Sequence, residues 1–423
     1  MTASENGTDL AVLDQLDPTF TPTGPAVRAA RAAGSCARTR DGYAVLRHDP
    51  LVALLADRRL VQGSHQLLTV QGVTEGPIVE WMNAILLSIE GADHARIRRL
   101  VSRAFTPRSV AALRPRMRAI AHDLVARFPA GRMELMGDFA RPYAAEVLCE
   151  LLGVPPGRRD AFRGWADDLG LVFSYQVRAH LERIEAALRG LNAAAEELIA
   201  DRRADPGGDL LSELVAAEED GDRLSSAELR LLVSTLLFAG QDTTSHQLGH
   251  AVALLLDHSE HWDLIAGRPD GAERVVEEVL RVAPTVPATG RIALVDLDVD
   301  GIPVPARTRM SMLLAAGNTD PATYGPDADA FDPTACRAVA PLTFGAGVHY
   351  CLGANLARAE LAEALRALAG LGTITADGPA RWRPALGITG PDNLPLRWSP
   401  RATSYGAQAA RLPRLAPLNH HTW

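Results

Sequence analysis

The 423-residue chain contains no lysine; beside 12 histidines, its 43 strongly basic side chains are all arginine. That excludes Schiff-base catalysis through a lysine and the lysine of a phosphate-binding loop. Cysteine is scarce: Cys36, Cys149, Cys336 and Cys351 are the four present, and none forms a C-x-x-C pair. Thiols so few and so dispersed argue against a disulfide framework or a structural zinc site, and each is expected to be reduced. No uncharged apolar run is long enough to span a bilayer. The opening MTASENGTDLAVLDQLDPTF has neither a basic start nor a hydrophobic segment. The expectation is a soluble, cytoplasmic protein with no membrane contact. A net charge of −8 gives no electrostatic reason for a nucleic-acid partner.

What is present reads as mostly helix. From Val27 to His258, leucine, valine, alanine and arginine recur at three- and four-residue spacing, as in RRLVSRAFTPRSVAALRPRMRAIAHDLVARF. The longest such pattern starts near Ser225, where Ser225 and Glu228 suit a capping box, and continues to about Asp257. A helix of that span is about 48 Å long and could cross a whole domain. After Pro284 the pattern changes. RIALVDLDVDGIPVPARTRMSMLLAAG alternates and turns at Asp300-Gly301, predicting short strands, and GITGPDNLPLRW predicts a last turn and strand. The fold class expected is mainly α with minor β, with residues 1–398 as one domain. Residues 399–423 lack periodicity and read as a loosely ordered tail.

One short stretch concentrates chemistry. Residues 343–353, TFGAGVHYCLG, place Cys351 in a glycine-rich turn at the mouth of a helix. Helix N–H groups and dipole favour a thiolate there, and the glycines let the backbone approach a large flat ligand. A single thiolate fits a metal whose other ligands come from elsewhere, and a porphyrin supplies them. The pattern F-G-x-G-x-H-x-C-x-G is complete in Phe344, Gly345, Gly347, His349, Cys351 and Gly353. It resembles the haem-ligand loop of the haem-thiolate monooxygenases, the cytochrome P-450 family. The resemblance implies that Cys351 is the axial iron ligand, under a long helix crossing the haem.

Three further stretches resemble the family in order. In Ala239-Gly240-Gln241-Asp242-Thr243-Thr244, the Thr243 hydroxyl can bond the Ala239 carbonyl four residues back and loosen the helix. Asp242 and Thr243 occupy the places of the family's oxygen-activating acid and alcohol. Glu278 and Arg281, at i and i+3, would alone suit a surface ion pair; in this order they resemble the buried structural Glu-x-x-Arg. His94 and Arg98 share a helix face, and with Arg291 and His349 they match cations that hold the haem propionates. Phe344, Gly345, Gly353, Ala239 and Gly240 would contact the macrocycle. The chain departs at Pro341, where many bacterial members have histidine. It departs again at Ala335, where an arginine is expected and the nearest is Arg337. Asn318-Thr319-Asp320 stands where Asn-Arg-Asp is usual.

The resemblance implies a monooxygenase that inserts one atom of dioxygen into a medium or large lipophilic molecule, as a secondary-metabolite hydroxylase or epoxidase. Haem b would be the cofactor. With no flavin or nicotinamide fingerprint, electrons from NAD(P)H would come through a separate ferredoxin or flavodoxin and its reductase. Arg99, Arg103 and Arg108 are candidates for that partner's docking face. The pocket is expected to draw on residues 62–93, Phe173 to Tyr175, Leu236 to Gly240, Val286 to Thr289, and Ile388-Thr389. Oxidative ring coupling, peroxide-driven oxidation and a non-catalytic haem sensor are the alternatives.

Overall fold

A computed structural model describes residues 10–17, 19–63, 66–128, 131–174, 176–219, 224–384 and 387–399. Tyr175 and the C-terminal stretch from residue 400 lie outside them. Helices dominate. Those that position the site are α1 (Gly91–Ser102), α2 (Ser226–Ala239), α3 (Gln241–Asp257), α4 (Gly271–Val282) and α5 (Ala354–Ala369). Among the described residues no helix is long and apolar enough to cross a membrane.

The single long helix expected from Ser225 to Asp257 is two. Ser225 and Glu228 form the capping box that starts α2, but the run stops at Ala239 and resumes at Gln241. Gly240 lies at the break, where a Cβ would press within 2.9 Å of the Leu148 side-chain tip. Leu148 lies on the helix Arg141–Leu151, which packs across α3. The small residue lets the two helices close, and its low helix propensity makes it the natural place for the ladder to lapse.

Val27–His258 is mostly helical, as expected, but it also contains short strands. Strands β1 (Cys36–Thr39), β2 (Gly42–Val45) and β3 (Leu60–Gln62) lie within it. They join β4 (Thr289–Ala293) and β5 (Arg309–Met312) in one sheet of order β1-β2-β5-β4-β3. β2 runs parallel to β5, pairing Gly42 with Arg309 and Val45 with Met312; the other pairings are antiparallel. Gly42 has φ +152°, and a Cβ on it would sit 2.0 Å from the Arg309 carbonyl oxygen. The Asp41-Gly42 dipeptide was the local signal for this hairpin. A strand at Arg132–Glu134 likewise pairs with Pro395–Arg397 near the far end of the described chain.

Glu278 and Arg281 of α4 are both buried. Arg281 donates through Nε to Glu278 Oε2 at 2.8 Å and through Nη2 to Oε1 at 2.6 Å. It also donates to the Asn318 carbonyl at 3.0 Å and the Ala330 carbonyl at 2.7 Å, so its buried N–H groups are satisfied. Arg337 lies 3.5 Å from Glu278 Oε1, so an arginine two positions beyond Ala335 still joins the network. Asn318 carries the network into the cysteine loop. Its amide donates to Thr343 Oγ1 at 2.9 Å, and its Oδ1 accepts from the Leu342 N–H at 2.6 Å. Truncating one partner of such a pair strands a buried charge, at a cost of about 3–5 kcal/mol. Arg281→Ala is expected to lower the denaturation midpoint correspondingly and to lose bound cofactor; an unchanged midpoint in a urea titration contradicts a structural role for the pair.

Candidate active site

The chain encloses a cavity of about 620 Å³. Cys351, Phe344, Gly345 and Gly353 line it, together with His94, Arg98, Arg291 and His349, and with Ala239, Gly240, Asp242 and Thr243 of the broken helix. Every cofactor-contact and catalytic residue singled out from the sequence therefore meets at one space. The rest of the lining is largely apolar, including Leu86, Phe173, Leu236, Phe238, Val286 and Ile388. Thr389 is not part of it; its backbone and side chain bond Thr285 instead.

Cys351 has a fixed backbone. Its N–H donates to the Phe344 carbonyl at 2.8 Å, and α5 begins three residues later. The loop turns through Gly345 at φ +72° and Gly347 at φ +69°. At Gly347 a Cβ would meet Leu55 O at 2.7 Å. At Gly345 it would find nothing nearer than 3.9 Å, and at Gly353 nothing within 4 Å. The first glycine packs the loop onto the protein; the other two leave the cavity floor open. Cys351 is exposed by area yet lies deep in the molecule, because the surface it presents belongs to the cavity. Burial pushes its thiol up, while the Gly353 N–H, Arg98 and Arg358 pull the other way. Arg358, one turn into α5, lies 4.6 Å above the Phe344 ring and pairs with Glu277 at 2.5 Å.

Positive charge is gathered at the cavity wall. His94 and His349 have ring centroids 4.6 Å apart. His349 Nε2 lies 3.0 Å from Glu90 Oε2, whose other oxygen accepts from the Gln62 N–H at 2.8 Å. Arg291 donates to Gln62 Oε1 at 3.0 Å, and Arg98 to the Tyr350 carbonyl. Burial lowers Arg98 and Arg291, and burial with His349 and Arg98 nearby lowers His94. His94 Nε2 is buried without a partner. Among the described residues, Glu90 is the one carboxylate in direct contact with this set, through His349, against two guanidiniums and two imidazoles. A buried excess of donors wants an anion. A flat dianion on the glycine floor would answer that excess, and with the Cys351 thiol beside it the residues fit a haem.

Opposite, Thr243 Oγ1 donates to the Ala239 carbonyl at 3.1 Å, as helix-loosening geometry requires. Asp242 meets two groups that sequence inspection did not single out, and a third lies behind them. Arg383 Nη1 lies 2.9 Å from Oδ2, and His246 Nδ1 lies 3.1 Å from Oδ1. Asp392 holds Arg383 Nε at 2.8 Å. The i, i+4 spacing of Asp242 and His246 was readable; the meeting with Arg383, 141 positions on, was not. Glu360 of α5 was also missed. It is buried against Thr244, its Oε1 has no partner, and burial raises it to about 8.

Glu360 makes stability depend on pH. Its folded carboxyl releases a proton at about 8, against 4.5 ordinarily. The stability that goes with the neutral form is whole below about 4.5 and is lost as pH rises through about 8. Glu360→Gln is therefore expected to match the parent at low pH and to gain on it by about 1.4 kcal/mol per pH unit in between. Melting curves at several pH values check this; a difference that does not vary with pH contradicts a neutral Glu360.

Comparison with known proteins places the chain as a whole. The Cytochrome P450 family model matches residues 163–265 and 272–368. The chain is 39% identical over 394 residues to the luteothin monooxygenase of Streptomyces thioluteus, covering 92% of this chain and 96% of that one. It is 35% identical to the cytochrome P450 monooxygenase PikC of Streptomyces venezuelae, covering 94% and 95%. Its fold is similar to cytochrome P450 CYP109Q5 from Chondromyces apiculatus, with TM-score 0.80 and 31% identity over 93% of this chain and 100% of that one. A mutant of P450 EryK in complex with erythromycin B gives TM-score 0.76 and 33% identity, covering 89% and 96%.

Proposed function

The chain belongs to the cytochrome P450 family and is a monooxygenase, and from that premise we propose that it oxidises a medium-sized lipophilic polyketide during secondary-metabolite biosynthesis. The observation that carries the reading is the convergence of Cys351, four propionate-type donors and the Asp242-Thr243 pair on one apolar cavity. Relatives named for luteothin, erythromycin and mycinamicin chemistry support the substrate class.

Cys351 would ligate the iron of a non-covalent haem b, with His94, Arg98, Arg291 and His349 binding its propionates. Bound haem supplies the centre at which dioxygen is reduced and an oxygen atom becomes available for insertion into a C–H or C=C bond. The chain's own tasks are positioning, proton supply and exclusion of water. Phe173, Leu236, Phe238, Val286 and Ile388 would orient the substrate by apolar contact and keep bulk water out. The lapse at Gly240 opens space beside the Thr243 hydroxyl. Thr243 Oγ1 can pass on a proton and replace it from Asp242, while its bond to the Ala239 carbonyl keeps its rotamer fixed.

Electrons would derive from NAD(P)H through a separate ferredoxin or flavodoxin and its reductase. Arg103 and Arg108 are exposed just beyond α1, on the segment leading away from Arg98, and suit an acidic partner.

The test begins with a polyketide panel screened for displacement of iron-bound water, read as a Soret shift. Binders are then turned over with a surrogate ferredoxin pair. Thr243→Ala is expected to keep the binding shift while product per NADPH falls about tenfold or more and hydrogen peroxide rises to match. Unchanged coupling contradicts the role of Thr243. A panel without a binder, in protein that carries haem, contradicts the substrate class.

A further inference from the structure

Away from the cavity, a second group of metal-ligating side chains takes no part in the chemistry above. His258-Ser259-Glu260-His261 forms the turn between α3 and the helix His261–Gly267. His258, Glu260 and His261 each offer one ligand atom, and these three atoms all lie within 4.8 Å of one another. None of the three residues lines the cavity.

The turn holds its side chains in place. The His258 N–H donates to the Leu254 carbonyl at 2.9 Å and closes α3. The His261 and Trp262 N–H groups donate to the His258 and Ser259 carbonyls at 3.1 and 3.2 Å. Trp262 and Ile265 are buried, and their short helix packs on α4 and α5. Phe331 is also buried and backs both imidazoles, with its ring centroid 5.4 Å from that of His258 and 5.5 Å from that of His261. Phe331 is itself anchored, because Ala330 before it accepts from Arg281 and Asp332 after it donates to Glu278.

The spacing separates an ion site from a hydrogen-bonded cluster. Glu260 Oε1 lies 3.9 Å from His258 Nδ1 and 3.8 Å from His261 Nε2. Both separations are too long for a hydrogen bond, and among the described residues neither ring has another polar partner. Around a zinc ion with bonds of about 2.0–2.2 Å, tetrahedral ligand atoms stand about 3.3–3.5 Å apart. The gap here is about half an ångström wider than that. The Glu260 side chain is 68% exposed and free to close it. The donor set selects the metal: two imidazoles and one carboxylate suit zinc, whereas calcium and magnesium take oxygen shells.

We propose that His258, Glu260 and His261 form a surface site for one zinc ion, which staples the end of α3 to the helix that follows. Water completes the fourth position. The ion joins the helix that carries Asp242 and Thr243 to a short helix seated on α4 and α5, and it does so through side chains distant in role from the cysteine loop. The site exists only when the turn is folded over Phe331, so bound zinc favours the folded chain. The proposal goes beyond the monooxygenase reading and does not depend on it.

The test uses tag-free, haem-loaded, full-length protein, stripped with a chelator and titrated with zinc sulfate. Equilibrium dialysis with elemental analysis counts zinc separately from iron, and melting curves are recorded with and without zinc. The parent is expected to bind one zinc per chain and to melt at a higher temperature with it, and an excess of calcium or magnesium should not displace the ion. His258→Ala, Glu260→Gln and His261→Ala are each expected to weaken binding at least about tenfold and to lose the zinc-dependent rise in melting temperature. Their Soret bands should match the parent's, which shows that each variant is folded. The chain also carries His420 and His421, so the double variant His420→Ala, His421→Ala is measured beside them and should bind zinc as the parent does. Zinc that survives the three substitutions, that is lost with His420 and His421, or that leaves the melting temperature unmoved is an adventitious ion only and overturns the site. A parent that binds no zinc overturns it as well.

Discussion

One short contact governs the site: the Cys351 N–H on the Phe344 carbonyl, in a loop that two left-handed glycines turn back on itself. It fixes a thiol on the floor of a cavity whose wall carries more buried donors than acceptors. Everything else in the architecture serves that placement. Glu278 and Arg281 anchor Asn318, Asn318 bonds both Leu342 and Thr343, and the loop begins there. Above, α2 and α3 break at Gly240, a poor helix former packed against Leu148. Just past the break, Thr243 lines the cavity with its hydroxyl bonded back to the Ala239 carbonyl.

The buried charges divide into two kinds. Arg281 is fully matched by a carboxylate and backbone carbonyls, so it holds structure and little else. The set of His94, Arg98, Arg291 and His349 is matched by Glu90 in part only, and that imbalance is what suits it to an anionic ligand. Asp242 falls between. It is satisfied by His246, which is fully buried, and by Arg383, which is partly exposed.

Legibility followed distance along the chain. The cysteine loop, the Asp242-Thr243 pair and Glu278-Arg281 are each local patterns, and their residues could be named before any coordinates. So could the capping box at Ser225. The β1–β2 hairpin was overlooked although Asp41-Gly42 marks its turn, because short half-buried strands of Cys, Ala, Tyr and Val give weak alternation beside long helices. The parallel pairing of β2 with β5 has no local signature at all. Nor has the meeting of Arg383 with Asp242, which exists only once the last hairpin closes on α3. Arg337 shows the converse case. A strict motif count lost it at Ala335, but a guanidinium is long enough to reach Glu278 from two residues away.

The central claim is a bond between the Cys351 sulfur and the iron of a haem. The most direct measurement is the carbonyl-complex spectrum of the reduced, haem-loaded protein beside that of Cys351→His. The account predicts a thiolate-type Soret band in the parent and its displacement to the imidazole type in the variant. Identical spectra, or an imidazole-type band in the parent, would contradict it.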